Sequence, residues 1–394
     1  MLDLSRQFAR LRGEILEAIG EVCDSQHYIL GPKVAEFEAA AAAMCGTRFA
    51  AGCTSGTDAL WLALAAAGTG DSTQVARLEP QPAVITTPFT FFATASAILR
   101  AGARPVFADI DPRTFNLSAD AVDQVLRADT ERRVAAILPV HLYGQCAEMN
   151  RFYALGQESE GLAIVEDAAQ AFGATWKCDD GVVRTAGAFG VTAAFSFYPT
   201  KNLSAFGEAG LVTTMDEAVD ARVRSLRSHG MTRRYHHDEV GWNCRMDAVQ
   251  AAVLGVKLKY IADWNEQRRE RAARYDELFR AAGIAAPEGS TSTKDGMVLP
   301  FTDERATHVF HQYVVRVERR DALREHLAAK GIGSEVYYPV PLHEQDALRG
   351  LGYKAGDFPE AERAAKEVLA LPIFPELRDD EQERVVEAVR EFYV

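Results

Sequence analysis

No two cysteines in this sequence stand at the spacing of a metal site or a redox motif. Cys23, Cys45, Cys53, Cys146, Cys178 and Cys244 are scattered, so they read as reduced packing residues, with neither a disulfide nor a structural metal expected. Positive charge is also in short supply: 43 Lys and Arg against 56 Asp and Glu leave a net charge of -13. That balance argues against non-specific binding to nucleic acid or to an anionic membrane, since both require a basic face. An anionic small molecule remains open, because it needs only a few local cations. No stretch approaches the roughly 18 apolar residues of a membrane span. Nor does Met1-Leu-Asp-Leu-Ser-Arg6 contain an apolar core of signal-peptide length, and a cytoplasmic protein is expected. Internal repeats are missing, and the alanine run Ala39–Ala43 reads as helix rather than low complexity.

What is present is an ordinary globular composition, 48% hydrophobic and 25% charged over 394 residues, long enough for two cores. Apolar runs at Ala83–Thr87, Arg104–Asp109, Ala135–Pro139 and Ala163–Glu166 read as strands. Helical patterns at Thr94–Ala101 and Ala119–Arg127 lie between them. Such alternation predicts an α/β fold with a mostly parallel sheet covered on both faces. The run Asp247–Arg268 is expected to form one long helix leading out of a large domain, residues 1–259, into a smaller α+β domain, residues 260–394. In the latter His311–Val317 reads as a strand, and Asp321–Lys330 and Asp379–Phe392 as helices. Segment 1–30 is a candidate to pack on the small domain.

Ser196-Phe-Tyr-Pro-Thr-Lys-Asn-Leu203 places Lys201 just past a run of small and aromatic residues. Burial disfavours a charged amine, so a lysine beside a core tends to lose its proton and become a Schiff-base nucleophile. A strand-end lysine can equally snorkel into solvent. Upstream, Ala163-Ile-Val-Glu-Asp-Ala-Ala-Gln170 reads as a parallel strand delivering Asp167 at its C-terminal end. A lysine and a carboxylate are the two groups that pyridoxal phosphate (PLP) chemistry needs above all. A third element, Ala51-Gly-Cys-Thr-Ser-Gly-Thr-Asp-Ala-Leu60, opens the helical run Trp61–Ala67. Small residues there present free N–H groups to a phosphate, although a simple N-cap gives the same signature.

These segments together resemble the DegT/DnrJ/EryC1/StrS sugar aminotransferases, PLP enzymes of fold type I. The similarity continues through Tyr28-Ile-Leu-Gly-Pro32, Thr87-Pro-Phe-Thr-Phe-Phe-Ala-Thr94, Pro105-Val-Phe-Ala-Asp-Ile-Asp111 and Pro139-Val-His-Leu-Tyr-Gly-Gln145. It extends to Gly241-Trp-Asn-Cys-Arg-Met-Asp247, Phe310-His-Gln-Tyr313 and Tyr337-Tyr-Pro-Val-Pro-Leu-His343. One segment departs from the pattern: Ser72–Pro82, polar and proline-containing, stands where relatives have a short turn, and reads as a surface loop.

The resemblance implies roles. Lys201 would form the Schiff base with PLP and then carry a proton between substrate and cofactor. Asp167 would pair with the pyridinium nitrogen, Gln170 would bond the ring oxygen, and Phe91 would stack on the ring, with Phe92 in the core. Gly56, Thr57 and Ser196 would hold the phosphate, and Asn243 would reach it from a neighbouring subunit, which makes a homodimer with shared sites the expected assembly. The loop His229–Asn243, with Arg233, Arg234, Tyr235, His236 and His237, reads unaided as a charged solvated face or a metal site. Adjacent histidines without a carboxylate pattern argue against metal. On the family reading it is a mobile loop that brings Tyr235, with Arg245, Tyr337 and Tyr338, to the substrate.

L-glutamate would convert PLP to pyridoxamine phosphate (PMP) and leave as 2-oxoglutarate; a nucleotide-linked keto sugar would accept the amine, giving an amino sugar for surface glycans such as lipopolysaccharide or for a secondary metabolite. His141-Leu-Tyr-Gly144 matches relatives acting at C3, and the Arg245 position matches enzymes for UDP-linked N-acetylated sugars, so a UDP-linked 3-keto sugar is expected over C4 amination. An inosose aminotransferase would share every cofactor residue. A sugar dehydratase would carry histidine in place of Lys201, and a non-catalytic PLP-binding regulator is the competitor from another class.

Overall fold

In the computed structural model, the structure describes residues 2–69, 81–159 and 161–393. Most of the Ser72–Pro82 insertion, up to residue 80, lies outside the described residues. After α1 (Leu4–Ser25) and α2 (Pro32–Cys45), the chain lays down β1 (Phe49–Cys53), α3 (Gly56–Ala66), β2 (Ala83–Thr86), α4 (Ala93–Arg100), β3 (Arg104–Phe107), α5 (Ala119–Ala128), β4 (Val134–Ile137), α6 (Met149–Glu158) and β5 (Ala163–Asp167). A side hairpin, β6 (Thr175–Lys177) and β7 (Val183–Thr185), precedes β8 (Thr192–Ser196), β9 (Gly210–Thr214) and α7 (Glu217–Leu226). A second hairpin, β10 (Met231–Arg233) and β11 (His236–His237), leads to α8 (Ala248–Leu258) and α9 (Ile261–Ala281). The rest comprises β12 (Ala306–Thr307), β13 (Tyr313–Arg316), α10 (Arg320–Ala329), α11 (Pro359–Glu367), β14 (Val368–Leu371) and α12 (Asp379–Tyr393).

Seven strands form the main sheet in the order β1-β9-β8-β5-β4-β2-β3. Only β9 runs against the others, pairing antiparallel with both β1 and β8. Side-chain alternation along each strand divides the core in two. Ala51, Val84, Ala136, Val165, Ala194 and Val212 pack with α3, α4 and α7. Ala50, Ile85, Ile137, Ile164, Ala193 and Leu211 pack with α1, α2 and α8 on the other face. Helix α3, apolar on every side, is buried almost throughout, as a helix sandwiched between sheet and further helices must be.

A second core gathers around the antiparallel pair β13 and β14. Tyr275 and Phe279 of α9 stack beside Tyr313 there. That core reaches back to Phe89, Phe107, Phe115 and Tyr143, so the two ends of the chain share apolar contacts. α1 buries Leu11, Ile15 and Val22 in the first core with α8. Its start reaches the second: Leu2 packs there, and Arg6 bonds both carboxylate oxygens of Glu381 at 2.8 and 2.6 Å.

The expected helix Asp247–Arg268 is two helices. It breaks at Lys259–Tyr260, where Tyr260 stacks on Trp264 at 5.9 Å and donates to Glu14 at 2.6 Å. The break lets buried α8 stay on the sheet while α9 crosses to the second core, and neither glycine nor proline marks it. The strand expected at His311–Val317 starts two residues late, at Tyr313, because His311 and Gln312 line a cavity instead. No described helix is long and apolar enough to cross a membrane.

Candidate active site

β5 and β8 run side by side with Asp167 opposite Ala194, so Asp167 and Ser196 end their strands at the same sheet edge. Ligands of open α/β sheets bind at this C-terminal edge. The strand period sends Asp167 to the α4 side and its neighbour Glu166 to the opposite face. Glu166 is wholly buried and saturated: it accepts from Gly187, Phe189 and Gly190 N–H at 2.8, 2.8 and 2.9 Å and bonds His141 Nε2 at 3.0 Å. Because His141 Nδ1 accepts from Ala147 N–H at 3.1 Å, the ring proton belongs on Nε2, facing that carboxylate.

Asp167 is nearly as buried but poorly supplied. It accepts from Thr94 Oγ1 at 2.8 Å and from Ala169 N–H at 3.3 Å. Burial raises its pKa, outweighing Thr94, the amide and the nearby Lys201 charge. Lys201 sits half-buried in the turn after β8, its N–H bonded to Tyr198 O at 2.8 Å. Desolvation pushes its amine down to about 8, with the Asp167 charge opposing. Burial thus disfavours the charged form of each group, the condition in which an added cation beside Asp167 gains most.

At the start of α3, Ser55 caps the helix by accepting from Asp58 N–H at 3.1 Å. Asp58 in turn is held by Thr54 at 2.6 Å and Arg100 at 2.5 Å. The capped turn leaves the Gly56 and Thr57 amides at the positive end of the helix for an anion. Close approach demands glycine here: a Cβ on Gly56 would lie 2.5 Å from Ser196 Cβ, and one on Gly210 would lie 2.2 Å from Ser55 O.

Gly56, Thr57, Phe91, Asp167, Gln170, Ser196, Lys201, Tyr337 and Tyr338 all line one cavity of about 780 Å³. Gln170 Oε1 accepts from Tyr143 N–H at 2.6 Å and its Nε2 donates to Tyr338 Oη at 3.1 Å. That fixes the amide orientation and leaves one N–H of Gln170 unspent. The Phe91 ring lies 6.1 Å from that of Tyr338 and is 58% exposed. Phe92, expected in the core, is exposed; it stands at the N-cap of α4, where the side chain points outward, and the core position belongs to Phe89.

Asn243, Arg245 and Tyr235 do not line this cavity. Asn243 is exposed and accepts from Arg245 Nε at 2.9 Å. Tyr235 is 76% exposed between β10 and β11, with the Arg234 guanidinium 5.1 Å from its ring. Several lining residues carry no role in the sequence reading, four of them with polar groups that bear on the site. Thr94 supports Asp167, and Arg268, Gln312 and Glu335 come from beyond the main sheet. Gln312 Oε1 and Arg268 Nε are buried without a partner among the described residues. In the sequence Gln312 is marked only as part of Phe310-His-Gln-Tyr313, and Arg268 only as the end of the helical run Asp247–Arg268.

The sequence matches the DegT/DnrJ/EryC1/StrS aminotransferase family over residues 9–390. It is similar to a "Pleiotropic regulatory protein" of Geobacillus stearothermophilus, 45% identical over 100% of this chain and 98% of that protein. A dTDP-3-amino-3,4,6-trideoxy-alpha-D-glucose transaminase of Streptomyces venezuelae is 41% identical, covering 99% and 95% of the two chains. The UDP-N-acetyl-3-dehydro-alpha-D-glucosamine 3-aminotransferase of Acidithiobacillus ferrooxidans is 39% identical over 99% and 96%. Among solved structures, DesV of S. venezuelae in complex with a ketimine intermediate superposes with a TM-score of 0.88, at 40% identity over 99% and 97% of the chains. NtdA of Bacillus subtilis with bound cofactor PMP gives 0.82, at 28% identity over 96% and 81%. The fold is that of the fold type I PLP-dependent transferases.

Proposed function

We propose that this chain, which belongs to the DegT/DnrJ/EryC1/StrS aminotransferase family, moves an amino group from L-glutamate to a nucleotide-linked 3-keto sugar, with UDP as the carrier. It is a PLP-dependent sugar aminotransferase. The observation that carries the site reading is the convergence, in one cavity, of Lys201, the under-satisfied Asp167 and the open helix start at Gly56 and Thr57. The residues fit PLP and its amine form PMP: a cation would satisfy Asp167, the glycine at 56 leaves room for an anion, and Phe91 offers an uncovered ring face.

When bound, PLP supplies an electrophilic carbonyl carbon and an electron-accepting ring. Lys201 Nζ would be the amine that holds the cofactor and the base that takes and returns the proton at the substrate carbon. Asp167 holds the protonated ring nitrogen, and Thr94 fixes the carboxylate. Gln170 donates its unspent N–H to the ring oxygen, while Gly56, Thr57 and Ser196 bind the phosphate and Tyr337 and Tyr338 border the substrate. We read residues 1–259 and 260–394 as the two domains that enclose the cavity. Asn243, Arg245 and Tyr235 we assign to the site of a second copy in a homodimer, since they lie outside the cavity of their own chain.

Amination at C3 is supported by relatives whose names specify C3 substrates on both UDP and dTDP. A second reading, a PLP-binding regulator without turnover, draws on the name of the Geobacillus relative. One experiment separates them: visible absorption of the purified protein, followed through L-glutamate and then a panel of 3-keto and 4-keto UDP and dTDP sugars. Bleaching by glutamate and recovery on a UDP-linked 3-keto sugar is the expected result. Recovery only on a 4-keto or dTDP sugar would redirect the substrate assignment, and a band that glutamate leaves untouched would favour the regulator.

A further inference from the structure

Lys201 is not on a strand or helix, so the position of its amine depends on what holds its loop. Within the loop, Ala205 N–H bonds Phe197 O at 2.8 Å and Phe197 N–H bonds Ala209 O at 2.9 Å. Just after Lys201, Asn202 Nδ2 donates to Asn265 Oδ1 at 2.9 Å and Val309 O at 3.0 Å. Further along, the same loop is gripped from α8. Gln250 Oε1 accepts from Phe206 N–H at 2.8 Å, and Lys257 Nζ donates to Ser204 O at 2.8 Å and Ser204 Oγ at 3.0 Å. Residues 250 and 257 are two helical turns apart and share a face of α8.

Lys257 is an odd residue for mere packing. It is 3% exposed and has no carboxylate partner among the described residues. Its ammonium sees two oxygens of one serine and the Phe206 ring at 4.9 Å. Burying a charge with neutral partners is costly, and an apolar side chain of similar length is the cheaper filler. What an apolar residue cannot do is hold Ser204: its buried carbonyl accepts from no backbone N–H among the described residues.

We propose that Lys257, with Gln250, is a positioning residue for the reaction: the α8 clamp on Ser204–Phe206 sets the placement of the Lys201 amine without touching cofactor or substrate. This rests on the reading of Lys201 as the cofactor lysine. Lys257→Met keeps most of the apolar stem and removes the donors. Measured on holoenzyme, the rate at which L-glutamate bleaches the visible band should fall about tenfold to a hundredfold, the order of loss that small misplacements of a reacting group cause. The pH midpoint of that band should shift as well, while PLP remains bound. A residue that only supports folding would lower the Tm and leave the per-site rate and midpoint unchanged, and that outcome overturns the proposal. If the methionine variant does not fold, Lys257→Gln, polar but too short to reach Ser204, is read by the same two quantities. Wild-type protein serves as the control: should it show no lysine-linked band with added PLP, the cofactor reading fails, independently of the clamp.

Discussion

The depressed proton affinity of Lys201 makes a quantitative demand on how the apoprotein captures its cofactor. With the amine down to about 8, about a tenth of Lys201 is unprotonated at pH 7, against about 0.03% for an unperturbed lysine, a difference of roughly 300-fold in competent nucleophile. The rate of PLP capture, followed by stopped-flow absorption, should therefore rise tenfold per pH unit below about 8 and level off above it. A small primary amine run in parallel removes the cofactor's own ionisations from the profile. The Asp167 charge opposes the effect of burial on Lys201, so Asp167→Asn should move the inflection to lower pH even though it removes the partner of the ring nitrogen. An inflection near the ordinary lysine range, or one that moves upward in Asp167→Asn, would refute the reasoning. A lysine with a lowered folded pKa binds fewer protons than in the unfolded chain. The apoprotein should thus gain stability as pH rises from about 8 towards the unperturbed value.

Gly56→Ala should weaken PLP retention at least tenfold by equilibrium dialysis, because its Cβ would stand 2.5 Å from Ser196 Cβ, although alanine favours a helix by about 1 kcal/mol. Adding Ser196→Gly should restore part of the lost affinity, and no recovery would place the fault elsewhere. For the shared site, Lys201→Ala and Asn243→Ala chains, each inactive alone, should regain activity when mixed as verified heterodimers; persistent inactivity would count against a residue delivered from a partner.

Much of the site was legible before the fold because strands announce their ends. Asp167 and Lys201 each follow a short apolar run, and a polar residue at such a boundary falls at the sheet edge where ligands bind. The helix start at Gly56 was legible for a similar reason, small residues before an apolar helix. What escaped was long-range or local in a way that periodicity does not encode. Arg268, Gln312 and Glu335 share a cavity with Lys201 only because the second core folds back on the sheet edge. The break between α8 and α9 depends on Tyr260 and Glu14, 246 positions apart. Phe91 and Phe92 are adjacent aromatics whose different fates follow from where α4 begins.

Glu166 and Asp167 show how little residue type decides by itself. They are neighbours in one strand, both buried, and the pleat turns them to opposite faces. Glu166 receives three backbone N–H groups and a histidine, so its charge is satisfied by the protein. In return it pins Gly187–Gly190, the segment that leads into β8 and hence to Lys201. Asp167 receives one hydroxyl and one long amide bond and faces the cavity. A saturated buried carboxylate has no capacity left for a ligand, whereas an under-satisfied one is stabilised by whatever cation arrives. The difference that makes one structural and the other a candidate for chemistry is the number of donors each finds, and that number is set by the fold around the strand end.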